Sequence, residues 1–167
     1  MKIRKTTEKD IDRVMDIYAY ARKFMAEHGN PNQWGVKNWP PKSLIQNDIE
    51  EGKSYVCLND DEQIVGTFFY NHGIDVEPTY LNIEDGQWIG DNNYGVVHRI
   101  ASDGSQKGIG SFCIKWALDK CRHLRIDTHS DNYVMQNMLT KLGFTHCGTI
   151  FVYEDNDPRL AFEKIEN

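Results

Sequence analysis

The sequence predicts an α/β chain whose mixed sheet of about seven strands is flanked by about four helices. Two observations carry this. Apolar residues switch between a period of two and a helical period along the chain, in the order β-α-α-β-β-β-α-β-α-β-β. A strand, a glycine loop and a helix then follow directly on one another from Val96 to Cys121, with a further strand behind them, and such a unit requires parallel pairing. With 167 residues, 40% of them apolar and 26% charged, the chain can bury the core of one domain, residues 1–167, and is short for two.

Residues 2–5 alternate enough for a short first strand. Thr7-Glu8-Lys9-Asp10 is a capping-box pattern, and Ile11, Val14, Met15, Tyr18, Ala21 and Met25 mark one face of the helix it opens. His28-Gly29-Asn30-Pro31 stops that helix. Residues 30–41 form a loop rich in Asn, Trp and Pro, with Trp34 and Trp39 close together. Pro41 suits a first helical turn, and Leu44, Ile45, Asp48 and Ile49 carry a short helix to Gly52. Residues 54–58 and 63–70 read as strands joined by Asn59-Asp60-Asp61-Glu62, a hairpin by its turn chemistry.

Residues 71–94 are broken by Gly73, Pro78, Asp85-Gly86 and Gly90, and a small hairpin of 80–83 against 87–89 fits around Asp85-Gly86. Val96, Val97, Ile100 and Ala101 form the next strand, and Ile109, Phe112, Cys113, Trp116, Ala117 and Cys121 recur on one helical face. Residues 124–128 make a strand and 133–142 a helix stopped by Gly143. Residues 144–153 and 159–165 make two strands around Asp155-Asn156-Asp157-Pro158.

The net charge of −6 argues against a general nucleic-acid binder, and an acidic rim favours a cationic partner. Cys57, Cys113, Cys121 and Cys147 lack C-x-x-C spacing and read as buried reduced thiols, which suits a cytoplasmic protein. The six histidines show neither H-E-x-x-H nor Cys/His pairing, so no metal site is expected. No apolar run reaches membrane-spanning length, and the opening Met-Lys-Ile-Arg-Lys lacks a signal-peptide pattern.

The stretch from Gly95 to Phe112 carries the chemistry. A strand, a glycine loop and a helix start point free backbone N–H groups and the positive helix end at an anion. Gly108 and Gly110 have no side chain to keep a phosphate away, and Lys107 adds charge. The nucleoside-triphosphate loop G-x-x-x-x-G-K-[ST] is absent. The dinucleotide fingerprint G-x-G-x-x-G fails because Cys113 occupies its third glycine position.

The remaining pattern, Lys107-Gly108-Ile109-Gly110-Ser111, resembles the acyl-CoA pyrophosphate motif [QR]-x-x-G-x-[GA] of the GNAT superfamily of N-acetyltransferases, with Ser105 where Gln or Arg is usual. A second stretch resembles the family's N-x-x-[AS]-x-x-x-Y-x-K-x-G-F: Asn132, Lys141, Gly143 and Phe144 match in register, while Met135 and Leu139 replace the small residue and the tyrosine. The order of elements is also that of the GNAT fold.

The resemblance implies an acetyl-CoA-dependent N-acetyltransferase without a metal. It assigns backbone groups of Ile100, Ala101 and Ser102 to the pantetheine arm, those of Lys107, Gly108, Ile109, Gly110 and Ser111 to the pyrophosphate, and Asn132 to the arm. Asn132 also suits a helix N-cap. A backbone N–H near Ile100 would stabilise the oxyanion. The base candidates are His98, Asp127 and His129; alternation puts His98 on the strand face of Ile100. Each of these can equally be structural. Tyr18, Met25, Trp34 and Trp39 would wall the acceptor site, or else be ordinary core anchors.

Leu139 stands where the family's usual general acid, a tyrosine, would be; Tyr133, Cys147 and Tyr153 are weak substitutes. The acceptor, a small-molecule or peptide amine, is not specified by the sequence. A homodimer through the terminal strands or residues 71–94 is compatible with it. A non-catalytic acyl-CoA-binding module is the alternative reading.

Overall fold

The computed structural model describes residues 1–153 and 156–167, so Asp155 of the expected last turn lies outside the described residues. The hydrogen-bonded strand order is β1-β2-β3-β4-β5-β7-β6, a mixed seven-stranded sheet accompanied by four α-helices. Two compact units divide the chain: Met1–Tyr70 with His98–Trp116, and Asn71–Val97 with Ala117–Asn167. No helix among the described residues is long and apolar enough to cross a membrane.

In the first unit, β1 (Lys2–Lys5) pairs antiparallel with β2 (Ser54–Leu58), and β2 with the opening part of β3 (Ile64–Ile74). The Asn59 side-chain oxygen accepts from the N–H groups of Asp61 and Gln63, which closes the β2–β3 turn as its chemistry predicts. The capping pattern also forms. The Asp10 carboxylate accepts from the Thr7 N–H and from Arg4, and launches α1 (Ile11–Glu27) through a short 3-10 turn. Gly29, at φ +80°, ends α1 in the left-handed conformation that glycine adopts without a Cβ clash. Val14, Ile17, Tyr18 and Ala21 of α1 pack with Trp34, Ile45 of α2 (Lys42–Glu50), Val56, Leu58 and Ala101 into one core.

β4 (Asn93–Ser102) and α3 (Ile109–Cys121) each pass from one unit into the other. Within the second unit β4 pairs parallel with β5 (His123–Thr128) at Gly95↔Leu124 and Val96↔Arg125. After α4 (Tyr133–Lys141), β6 (Thr145–Phe151) and β7 (Pro158–Ile165) pair antiparallel, and β7 also pairs antiparallel with β5.

The expected hairpin within residues 80–89 does not form. β3 instead runs on to Ile74, Pro78–Leu81 is a 3-10 turn, and Glu84 bridges Thr149 of β6 through reciprocal backbone bonds of 2.8 Å. The Gln87 N–H adds a bond to the Cys147 carbonyl. Gly86 permits this approach, since a Cβ there would fall 1.8 Å from the Cys147 oxygen. The segment finds its partners on a distant edge strand rather than in itself, and covers backbone groups that an edge would leave unpaired.

Glu163 of β7 organises the second unit. Its buried carboxylate accepts from His123 Nε2 at 2.6 Å, from Arg125 Nε at 2.9 Å, and from the backbone N–H groups of Ile89 and Gly90. Arg125 lies between the Trp88 and Tyr94 rings, 4.3 and 4.1 Å from their centroids. Burial alone would push the Glu163 carboxyl up, but the bonds from His123, Ile89 and Arg125 outweigh it and hold it at about 2, below its ordinary 4.5. A carboxyl depressed on folding adds stability that is complete above its unfolded value and is lost as pH falls toward its folded one. We expect Glu163→Gln to cost about 3–5 kcal/mol in urea unfolding at pH 7, because it strands a buried arginine and histidine. The difference from wild type should narrow between pH 4.5 and about 2.

Candidate functional site

The glycine loop is fastened before it reaches α3. The Asp103 N–H donates to the Val65 carbonyl at 2.9 Å, and its carboxylate accepts from the Ser105 N–H at 2.9 Å and from Arg13 of α1 at 2.6 Å. Arg13 also donates to the Ile64 carbonyl, so β3, the loop and α1 share one guanidinium. Gly104, at φ +72°, lies against Tyr20; a Cβ there would sit 2.3 Å from the tyrosine oxygen.

Gly108 takes φ +86°, and the place of its missing Cβ has nothing within 4 Å, so this face of the loop is open. Its carbonyl accepts from the Phe112 N–H at 2.9 Å as α3 begins. The N–H groups of Gly108, Ile109, Gly110 and Ser111 therefore precede the helical ladder and have no acceptor within it. They stand at the positive end of a 13-residue helix, with exposed Lys107 beside them. Buried Ile109 sets the height of this helix end by packing on Gly66 of β3, where a Cβ would come within 2.7 Å of its Cγ2. The arrangement fits a phosphate or pyrophosphate.

Just ahead of the cradle, β4 is kinked. Arg99 adopts φ +52°, uncommon for a residue with a side chain. Its guanidinium bonds the buried Asp48 carboxylate at 2.8 and 3.1 Å and lies 4.5 Å over the Phe69 ring, while its carbonyl accepts from the Tyr18 hydroxyl at 2.8 Å. Burial pushes the Asp48 carboxyl up from its ordinary value, and Arg99 pulls it back. The kink corrects the expected alternation: the pleat is interrupted at Arg99, so a period of two no longer relates the faces of His98 and Ile100. His98, half-buried, stacks on Phe69 with centroids 5.7 Å apart.

Of the expected acceptor wall, Tyr18 and Trp34 are core side chains, 1% and 8% exposed, packed edge to face. Burial pushes the Tyr18 hydroxyl well up. Met25 and Trp39 are only partly buried against the same core.

In the second unit Asp127, Thr128, His129 and Asn132 gather at the turn from β5 to α4. Asp127 accepts from the Tyr80 hydroxyl at 2.6 Å. Burial, then the Asp127 charge, push that hydroxyl well above its ordinary value and keep it a donor. His129 Nδ1 accepts from the Asp131 N–H at 3.0 Å. Asn132 is the N-cap of α4, its side-chain oxygen accepting from the Met135 N–H at 3.1 Å. The buried Thr128 hydroxyl has no hydrogen-bond partner among the described residues. Leu139 is fully buried, Tyr133 and Tyr153 are exposed, and burial pushes the Cys147 thiol up to about 11.

Arg99, Asp48, Tyr80 and Gly66 were not legible as site residues. Gly66, a glycine inside a strand pattern, carried the one available signal: close approach by another element.

The sequence profile of the acetyltransferase (GNAT) family matches residues 17–144. The chain belongs to this family. It is similar in structure to a GNAT-family acetyltransferase from Streptococcus agalactiae 2603, at 30% identity, 99% coverage of this chain, 95% of that chain and a TM-score of 0.89. A GNAT-family acetyltransferase from Listeria monocytogenes 4b F2365 shares the fold at 16% identity, covering 98% of this chain and 94% of that one, with a TM-score of 0.71. So does a ribosomal-protein-alanine N-acetyltransferase from Brucella melitensis, at 19% identity, 99% of each chain and a TM-score of 0.59. No curated protein matches the chain. As a GNAT member the protein is an acyltransferase of the acyl-CoA-dependent N-acetyltransferase class.

Two substitutions probe how the site is held. Gly66→Val should destabilise the fold by about 1–3 kcal/mol through overpacking against Ile109, and should weaken anion binding at the cradle. Asp48→Ala, which strands Arg99, should cost about 2–4 kcal/mol, measured by chemical denaturation.

Proposed function

We propose that this GNAT enzyme holds acetyl-CoA through backbone groups of Ile100, Ala101, Ser102, Lys107, Gly108, Ile109, Gly110 and Ser111, with Asn132 on the pantetheine arm. The acetyl group then goes directly to a primary amine. The observation that carries this reading is the open cradle: N–H groups outside the helical ladder at the start of α3, beside a Gly108 that leaves its face clear. The donor supplies an activated thioester, and the chain's own residues orient it and handle charge and protons.

The Ile100 N–H, next to the kinked Arg99, is the proposed donor to the oxyanion. An alkylamine with a pKa of about 10 arrives protonated, so a base must take its proton. His98 is the first candidate and His129 the second. Asp127, fixed by Tyr80, is better suited to hold the ammonium than to roam as a base. A net charge of −6 favours a cationic acceptor, either a small molecule or a peptide amine. All 167 residues act in this reading as one catalytic domain, and the free cysteines suit a reducing cytoplasm.

Leu139, buried where the family's acid would stand, supports a second reading as a non-catalytic acyl-CoA sensor. Calorimetric titration with acetyl-CoA, with ATP and NAD as comparators, should give saturable binding of acetyl-CoA alone; no binding overturns the proposal. Release of CoA with a panel of amines separates enzyme from sensor. In the enzyme, His98→Ala should lower kcat by about 100-fold or more while donor affinity stays near wild type.

A further inference from the structure

The solvent face of α1 carries an aromatic ladder that the proposed reaction does not use. Tyr20, Phe24 and His28 follow one another at a spacing of four residues, one above the next on the helix. Tyr20 and Phe24 stack with centroids 6.4 Å apart and planes 27° apart; Phe24 and His28 stack at 3.8 Å and 19°. His28 Nδ1 donates to the Phe24 carbonyl at 2.7 Å, which fixes the last ring. Tyr20 is 43% exposed, so the ladder's first ring is presented to solvent rather than packed in the core.

Self-stacking along a helix would account for rings at this spacing. It does not account for where the ladder begins. Tyr20 lies against Gly104 of the cradle loop, so closely that any side chain at 104 would collide with it. The same loop is tied to α1 by Arg13 and Asp103. The ladder is thus continuous with the anion site, within one compact unit.

A CoA pyrophosphate carries two extensions, the pantetheine arm and, one sugar away, a purine. The purine is a flat ring that an exposed aromatic face takes by stacking, without a need for matched hydrogen bonds. The geometry points to the Tyr20–Phe24–His28 ladder as the site that stacks the adenine of the acyl-CoA donor. This inference rests on the donor reading proposed above. It makes Tyr20 and Phe24 determinants of preference for CoA over shorter pantetheine donors.

The test uses the full chain, with CoA and pantetheine as probes. Wild-type protein should move the adenine H2 and H8 proton resonances of CoA upfield, the mark of a stacked ring. Tyr20→Ala and Phe24→Ala should abolish those shifts and lower the ratio of CoA to pantetheine affinity by about 5- to 100-fold. Tyr20→Phe, which keeps the ring, should restore both. Melting curves by circular dichroism identify a variant that fails to fold, and Tyr20→Phe then carries the comparison through the resonance shifts. A wild type that binds CoA with no upfield shift, or variants whose affinity ratio stays within twofold of wild type, overturns the stacking site alone. A wild type that binds no CoA overturns the donor reading, and this site with it.

Discussion

The first unit depends on one strained residue. Arg99 holds a left-handed backbone conformation that costs roughly 1–2 kcal/mol for a residue with a Cβ, and it persists because its surroundings over-determine it. Asp48 of α2 fixes its guanidinium, Phe69 of β3 lies under it, and Tyr18 of α1 takes its carbonyl. Elements far apart in sequence therefore meet at a single residue of β4. The strand leaves the kink and reaches the Asp103 hook within a few residues, so the kink sets where the glycine loop starts and how α3 is aimed. Arg13 and Gly66 then keep that aim, one by hydrogen bonds and the other by having no side chain.

The second unit uses a buried carboxylate as well, with the opposite electrostatic outcome. Burial dominates at Asp48, whose carboxyl is pushed up even though Arg99 bonds one of its oxygens. At Glu163 histidine, arginine and backbone donors together reverse the effect of burial. The difference lies in how many donors each anion receives, because an anion out of water is tolerated in proportion to the hydrogen bonds that replace its solvent. Glu163 can therefore serve as a fixed negative post that holds residues 88–91, while Asp48 is the less well compensated anion, whose bonds to Arg99 help hold the kink in place.

Much of this was legible in the sequence wherever the signal is local. The Asp10 capping box, the Asn59 turn, the stop at Gly29, the Asn132 cap and the glycine loop that leads into α3 are each set by neighbours within a few positions, and each forms as a local structure. Residues 84–87 were misread as part of a hairpin because their partner, β6, lies some sixty residues further on, and no local pattern announces a distant edge. The kink at Arg99 was invisible because nothing about an arginine marks a positive φ; its cause is the tertiary set of Asp48, Phe69 and Tyr18. The sequence reading put Tyr18 on the apolar face of α1 and gave Tyr20 no role. Tyr18 and Tyr20 are two positions apart on a helix and so face different ways. The first is buried in the core, and the second stands exposed beside the cradle.

Leu139 bears on the proposed chemistry through its burial. Its side chain is fully enclosed, so the position has been absorbed into the core and offers no proton. Of the substitutes, Tyr133 and Tyr153 are exposed and Cys147 is pushed up to about 11 by burial. The Tyr80 hydroxyl, never a candidate from the sequence, is pushed well up and donates to Asp127. A group whose pKa lies far above neutrality is a reluctant acid. A thiol with an ordinary pKa of about 8.5 leaves readily as the thiolate, so the leaving group is the part of the reaction that asks least of the protein. The amine asks more, since it must lose a proton before it can attack. In the proposed mechanism the chain's acid–base chemistry therefore concentrates on the acceptor, and loss of the tyrosine at 139 is compatible with catalysis so long as a histidine such as His98 takes up that proton.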